Sequence, residues 1–168
     1  MKWFWITNFV LFQSAWFICA FFTEYAPIAL TVLLALHFAL SPTKRKDLQI
    51  LPLALVGIVA DKLHLMAGTF AIQADFFPLW LALLWAMFVL CLNHSLSWLA
   101  HKPTWLVAGF GAIGGPLSYF AGIKAGAMAS LTPMPILITS LACSWALLIV
   151  VLIYATKQID NRFLIRTA

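Results

Sequence analysis

Three groups of residues in this chain are of types that could do chemistry, and each stands in apolar surroundings that make it costly. The first is Asp61 with His64, in LVGIVADKLHLMAG (residues 55–68). At helical spacing Gly57, Asp61, His64 and Gly68 share one face. A carboxylate at the centre of a membrane helix costs about 2.5–3.5 kcal/mol on insertion scales, so such an acid reads by default as handling a proton or a ligand. The competing reading is a local pair, in which Lys62 or His64 neutralises Asp61 while Lys62 reaches outward.

The second group follows WLALLWAMFVLC directly, in LNHSLSW (residues 92–98). Asn93 and Ser97 are four apart on a helix and could bind a neighbouring helix for about 0.6–2 kcal/mol per hydrogen bond. His94 borders the same face and could act as a general base or proton relay. The third group is GFGAIGGPLSYFAGIKAGA (residues 109–127). Here Ala108, Gly111, Gly115, Ser118 and Gly122 make a ridge of small residues, and Gly111–Gly115 and Gly122–Gly126 each fit G-x-x-x-G, the pattern of close helix approach. Gly114 and Gly115 precede Pro116, which frees the carbonyl of Ala112 and predicts a kink. Tyr119 lies one turn further on. A tightly packed, kinked helix and a broken helix lining a substrate site both fit this stretch.

Other chemistries are weaker. The four histidines include no H-x-x-x-H or H-E-x-x-H, and the three cysteines, Cys19, Cys91 and Cys143, make no C-x-x-C. Neither a zinc site nor a cofactor is expected. The net charge of +5 resides in short connecting segments rather than on one face, so no nucleic-acid partner is expected.

The elements that must carry these residues are membrane helices. The chain has 168 residues, 64% hydrophobic and 9% charged, and a mean hydropathy of +1.01. Soluble domains carry about 25% charged residues. The apolar runs do not alternate as barrel strands would. The sequence therefore predicts an all-α integral membrane bundle, one domain over residues 1–168. Six spans are expected, over 3–22, 26–41, 50–68, 78–100, 104–124 and 134–155, with the fifth kinked at its Gly/Pro segment. The first is read as an uncleaved span, since no A-x-A-like site follows it. Pro27, Pro52, Pro78, Pro103 and the Pro133/Pro135 pair open spans two to six, where a missing N–H is tolerated.

Charge sets the orientation. With six spans, Lys2, Lys44, Arg45, Lys46, Lys102, Lys157, Arg162 and Arg166 fall on one side and Glu24 and Asp75 on the other. By the positive-inside rule both termini are cytoplasmic, in a multi-pass protein of the bacterial inner membrane. Trp3, Trp5, Trp80, Trp98 and Trp105 lie near span ends, as in an aromatic belt.

Four motifs carry a resemblance. N-x(4)-Q-x(2)-W (Asn8, Gln13, Trp16), P-L-W-L-x-L-L-W (residues 78–85), L-N-H-S-L-x-W-L (residues 92–99) and G-A-I-G-G-P-L-S-Y-x-A-G-x-K-x-G-A (residues 111–127) resemble the DUF2878 family of small bacterial multi-pass membrane proteins. The resemblance spans nearly the whole chain. It implies an inner-membrane location, an acidic residue in span three where Asp61 stands, and a connection to lipid; it implies no reaction.

Three functions stay open on the sequence. One is a carrier that binds or moves a small molecule, proton or lipid through a site built from Asp61, His64, Asn93, His94, Ser97 and Tyr119. Another is a membrane-embedded lipid-modifying enzyme using His94 as base, Asp61 as acid or orienter, and Tyr119 or Asn93 to polarise the substrate. The third is a partner subunit, packing through the glycine ridge against another membrane protein or a second copy. The first reading expects Asp61 and His94 to meet in one internal chamber.

Overall fold

The computed structural model describes residues 3–74 and 76–167, with side chains as far as Asn161. Lys2, Asp75 and the side chains of Arg162 and Arg166, used above for orientation, lie outside the described residues. The fold is all-helical. Its helices are α1 (Phe4–Phe21), α2 (Ala26–Leu40), α3 (Lys44–Ile50), α4 (Ala54–Met66), α5 (Leu79–Asn93), α6 (Thr104–Ala125) and α7 (Met134–Thr167). A tight turn of 3₁₀ helix, Leu51–Leu53, joins α3 to α4, so these two make one rod over Lys44–Met66. Four rods are long and apolar enough to cross a membrane: Phe4–Phe21, Lys44–Met66, Thr104–Ala125 and Met134–Asn161. The other two, α2 and α5, are apolar helices of 15 residues each.

Proline and the backbone explain where the observed elements depart from the expected spans. Pro52 does not open the third rod. It sits in the 3₁₀ turn, and helix already begins at Lys44. Asp47, expected in a loop, is thereby fixed on a helix. The fourth span does not run to residue 100 as one helix. At His94 the backbone takes φ −126° and ψ −93°, and the Leu96 N–H bonds back to the Cys91 carbonyl at 2.7 Å. A separate 3₁₀ turn, Ser97–His101, follows. Pro116 lies inside α6, which continues through it as a single 22-residue helix. The broken-helix alternative is therefore not realised there.

Helix α5 runs through the centre. Met87, Val89 and Leu92 are fully buried in one core with Leu11 and Ala15 of α1, Leu30 of α2, Ala54 of α4 and Ile149 and Leu152 of α7. The outer face of α2 leaves Ile28, Val32, Leu36 and Leu40 exposed, an apolar stripe of the kind lipid covers. Helices α6 and α7 meet closely because Gly111 and Gly115 have no side chain. A Cβ on Gly111 would strike the Trp145 carbonyl, and one on Gly115 the Trp145 ring. A two-residue antiparallel pairing, β1 (Phe70–Ala71) with β2 (Ala129–Ser130), ties the loop after α4 to the loop after α6.

Candidate functional site

Asp61 is buried in α4, and its two oxygens are taken by two side chains from other helices. Trp85 of α5 donates its indole N–H to Oδ2 at 2.6 Å. The Tyr119 hydroxyl of α6 donates to Oδ1. Gly57, one turn before Asp61 on the same face, makes this possible: a Cβ there would collide with the six-membered ring of Trp85. Neither Lys62 nor His64 neutralises the acid. Lys62 is exposed. His64 instead binds Ser144 of α7 through Nε2 at 2.8 Å and Thr69 through Nδ1 at 3.2 Å.

A second polar cluster lies at the opposite end of the bundle, at the break after α5. Its hub is Asp47 of α3, which is fully buried. His37 of α2 approaches Oδ2 through Nε2 at 3.2 Å, and the Ser41 hydroxyl donates to the same oxygen. His94 approaches Oδ1 through Nε2 at 2.9 Å, and the Asn93 amide donates to that oxygen at 2.7 Å. Phe4 of α1 packs edge-to-face with both imidazoles, with centroids 5.4 Å from His37 and 4.7 Å from His94. Two donors, Ser41 and Asn93, and two imidazoles facing one carboxylate offset much of the cost of burying it.

The expected single chamber is thus two sites. Asp61 and Tyr119 share one; Asn93 and His94 belong to the other. Trp85, which binds Asp61, and His94 are nine residues apart along α5, a rise of about 13 Å. The separation follows from the chain: Asp61 lies near the far end of α4, and His94 lies past the last turn of α5, which runs the other way. His64 bridges α4 and α7 and joins neither site. Ser97 is exposed, and its hydroxyl donates to the His94 carbonyl at 2.8 Å, closing the local turn rather than reaching another helix. Of the small residues, Gly111 and Gly115 contact α7, while Gly114 has nothing near its missing Cβ and Gly122 meets only Met128.

His37 and Asp47 were missed by the sequence reading. His37 is the one ionisable residue of α2, and a lone imidazole in an otherwise apolar span is a signal in itself. Asp47 was masked by the basic run around it.

The quoted motifs meet in space. Asn8 accepts from the Ser95 hydroxyl at 2.6 Å and the Ser95 N–H at 3.2 Å, holding the break after α5 against α1. Trp16 donates to Ser118 at 2.7 Å, linking α1 to α6. The family described as "Protein of unknown function (DUF2878)" matches residues 5–151. The chain belongs to this family. No curated protein and no solved structure matches it.

Two adjoining spaces open in this DUF2878 chain, and the smaller of them lies beside the Asp61 site. An aromatic cavity of about 70 Å³ is walled by Trp16, Trp80, Trp85, Phe88, Tyr119 and Trp145. Tyr119 and Trp85 thus present their rings to the cavity and their polar atoms to Asp61 behind it. A larger groove of about 470 Å³ runs between α1 and α6, bordered by Phe9, Gln13, Phe17, Gly114, Leu117 and Ala121. Phe12, Trp16, Phe88, Ser118 and Trp145 line both spaces.

Proposed function

We propose that this protein is a six-span protein of the bacterial inner membrane, with both termini cytoplasmic, that binds a lipid chain between α1 and α6. The observation that carries the reading is the groove between these helices, adjoining the aromatic cavity whose walls include Tyr119 and Trp85. Both flanking helices are long and apolar enough to span a membrane. Binding sites for small apolar molecules are typically concave, lined by aromatic residues and furnished with few polar groups. Gln13, Trp16, Ser95 and Ser118 are polar residues of its lining, and the absence of a side chain at Gly114 keeps the α6 wall open. Six spans follow from counting α2 and α5 with the four longer rods, and the orientation from Lys44, Arg45, Lys46, Lys102 and Lys157 gathering at one end.

The test is photocrosslinking in reconstituted vesicles, using a phospholipid with a diazirine in its acyl chain. Labelled peptides are mapped by mass spectrometry. Every outward face is labelled to some extent, so the reading requires excess label on residues 9–17 and 110–121 over the outer stripe of α2. Gly114→Phe should remove that excess. Equal labelling of the groove and of Ile28, Val32 and Leu36 would discard the lipid site.

A further inference from the structure

We propose that His37, Asp47 and His94 form a binding site for a divalent transition-metal ion, of the zinc or iron(II) class, at the basic end of the bundle. This site is separate from the α1–α6 groove and does not depend on what that groove binds. The three residues come from α2, α3 and the end of α5, and each offers a ligand atom within 4.8 Å of the other two. His37 and Asp47 are fully buried and His94 is 9% exposed.

The spacing suits an ion. Two ligands at ~2.0–2.1 Å on a tetrahedral zinc stand roughly 3.3 Å apart. The observed His37 Nε2–Asp47 Oδ2 and His94 Nε2–Asp47 Oδ1 separations are 3.2 and 2.9 Å. Two imidazoles and one carboxylate, with further positions left open, form a donor set suited to zinc or non-haem iron(II). The same Nε2 atom of each ring faces the carboxylate. When metal binds there, each imidazole is neutral with its proton on Nδ1, so the Nε2 lone pair is free to coordinate.

The carboxylate's surroundings are those of a built site, while His37 Nδ1 is buried with no protein partner among the described residues. Asn93 and Ser41 hydrogen-bond the Asp47 carboxylate and fix its plane, as outer partners of metal ligands do. Phe4 closes the side facing α1. On the remaining side Asn93 also bonds Thr43, which is exposed. Lys46, the basic neighbour one position before Asp47, is paired with Asp160 of α7 at 2.5 Å. Asp47 with two neutral imidazoles carries one negative charge. A divalent ion would leave the site with one net positive charge and room for water or an anionic group.

The experiment is metal analysis of the full chain purified in mild detergent without chelator, followed by chelation and titration with Co(II), then Zn(II). The expected result is about one equivalent of zinc or iron per chain as isolated, visible d–d bands on adding Co(II), and their loss on adding Zn(II). Asp47→Asn and His37→Gln, each nearly isosteric for a hydrogen bond, should weaken Co(II) binding by more than about tenfold, whereas His64→Gln and His101→Gln should not. A measurement on the unaltered chain guards against variants that do not fold: Zn(II) should raise its Tm after chelation. No stoichiometric metal as isolated, together with no Tm response to Zn(II), would overturn the site. So would Co(II) bands of equal strength in the unaltered chain and in folded Asp47→Asn.

Discussion

The indole N–H of Trp85 reaches Asp61 Oδ2 at 2.6 Å because Gly57, one turn earlier on α4, leaves space for the ring. A donor on a buried carboxylate is worth most where no water can replace it. Trp85→Phe removes the donor while keeping most of the ring, and should cost about 1–3 kcal/mol. Tyr119→Phe should cost a similar amount. Because both donors serve one carboxylate, the double variant should depart from additivity, and Asp61→Asn should soften both losses. Thermal unfolding in detergent measures all four. Additive losses unaffected by Asp61→Asn would mean that the two rings act only by packing.

The contact between α6 and α7 gives a sharper contrast, because neighbouring glycines differ. Gly115→Ala places a methyl group into the Trp145 ring and Gly111→Ala one into the Trp145 carbonyl, whereas Gly114→Ala meets nothing within 4 Å. Overpacking of this kind costs about 1–3 kcal/mol. Gly111→Ala and Gly115→Ala should therefore lower Tm, and Gly114→Ala should leave it unchanged or raise it, since alanine favours helix over glycine by about 0.8–1.0 kcal/mol. Equal responses at residues 114 and 115 would contradict the described packing.

Asn8 makes a third test. Its carbonyl oxygen holds both the N–H and the hydroxyl of Ser95, just past the point where α5 ends. Asn8→Leu leaves these donors unpaired in an apolar setting, at about 1–3 kcal/mol. Residues 94–97 should then exchange amide hydrogens faster, while the middle of α5 keeps its protection. Uniformly faster exchange would instead indicate global loosening.

How much of this was legible in the sequence depends on the range over which each signal acts. The apolar runs and the flanking prolines are local, and the expected first, second and fifth spans differ from α1, α2 and α6 by at most one residue at either end. The end of α5 was not legible, because Leu92, Leu96 and Leu99 keep a helical spacing and the side chain that holds the segment past the break, Asn8, is far away in sequence. Likewise, nothing near Asp47 announces that two imidazoles will reach it. The run KRKD reads as a solvated loop, and only the packing of α2, α3 and α5 turns it into a buried hub. Asp61 was legible as a costly intramembrane acid. Its partners were not, because a tryptophan and a tyrosine in apolar spans look like packing residues until a buried carboxylate is placed beside them.

Orientation is the last prediction, and it rests on the two short helices. At 1.5 Å per residue, α2 and α5 are each about 22 Å long, less than the ~30 Å of a hydrocarbon core. They can cross only if their flanking turns also enter the interface, with local thinning of the bilayer or tilting of the longer neighbours. If both cross, Glu24 and Lys124 lie on one side and Lys44 and Lys102 on the other. Cys143 is exposed while Cys19 and Cys91 are buried, so Cys143→Ser provides a background for single added cysteines. In intact cells stripped of the outer membrane, an impermeant maleimide should label Glu24→Cys and Lys124→Cys directly. Lys44→Cys and Lys102→Cys should react only after permeabilisation. If Glu24→Cys and Lys44→Cys both reacted from outside, α2 would lie along the surface instead of crossing, and the count of six would fall with it.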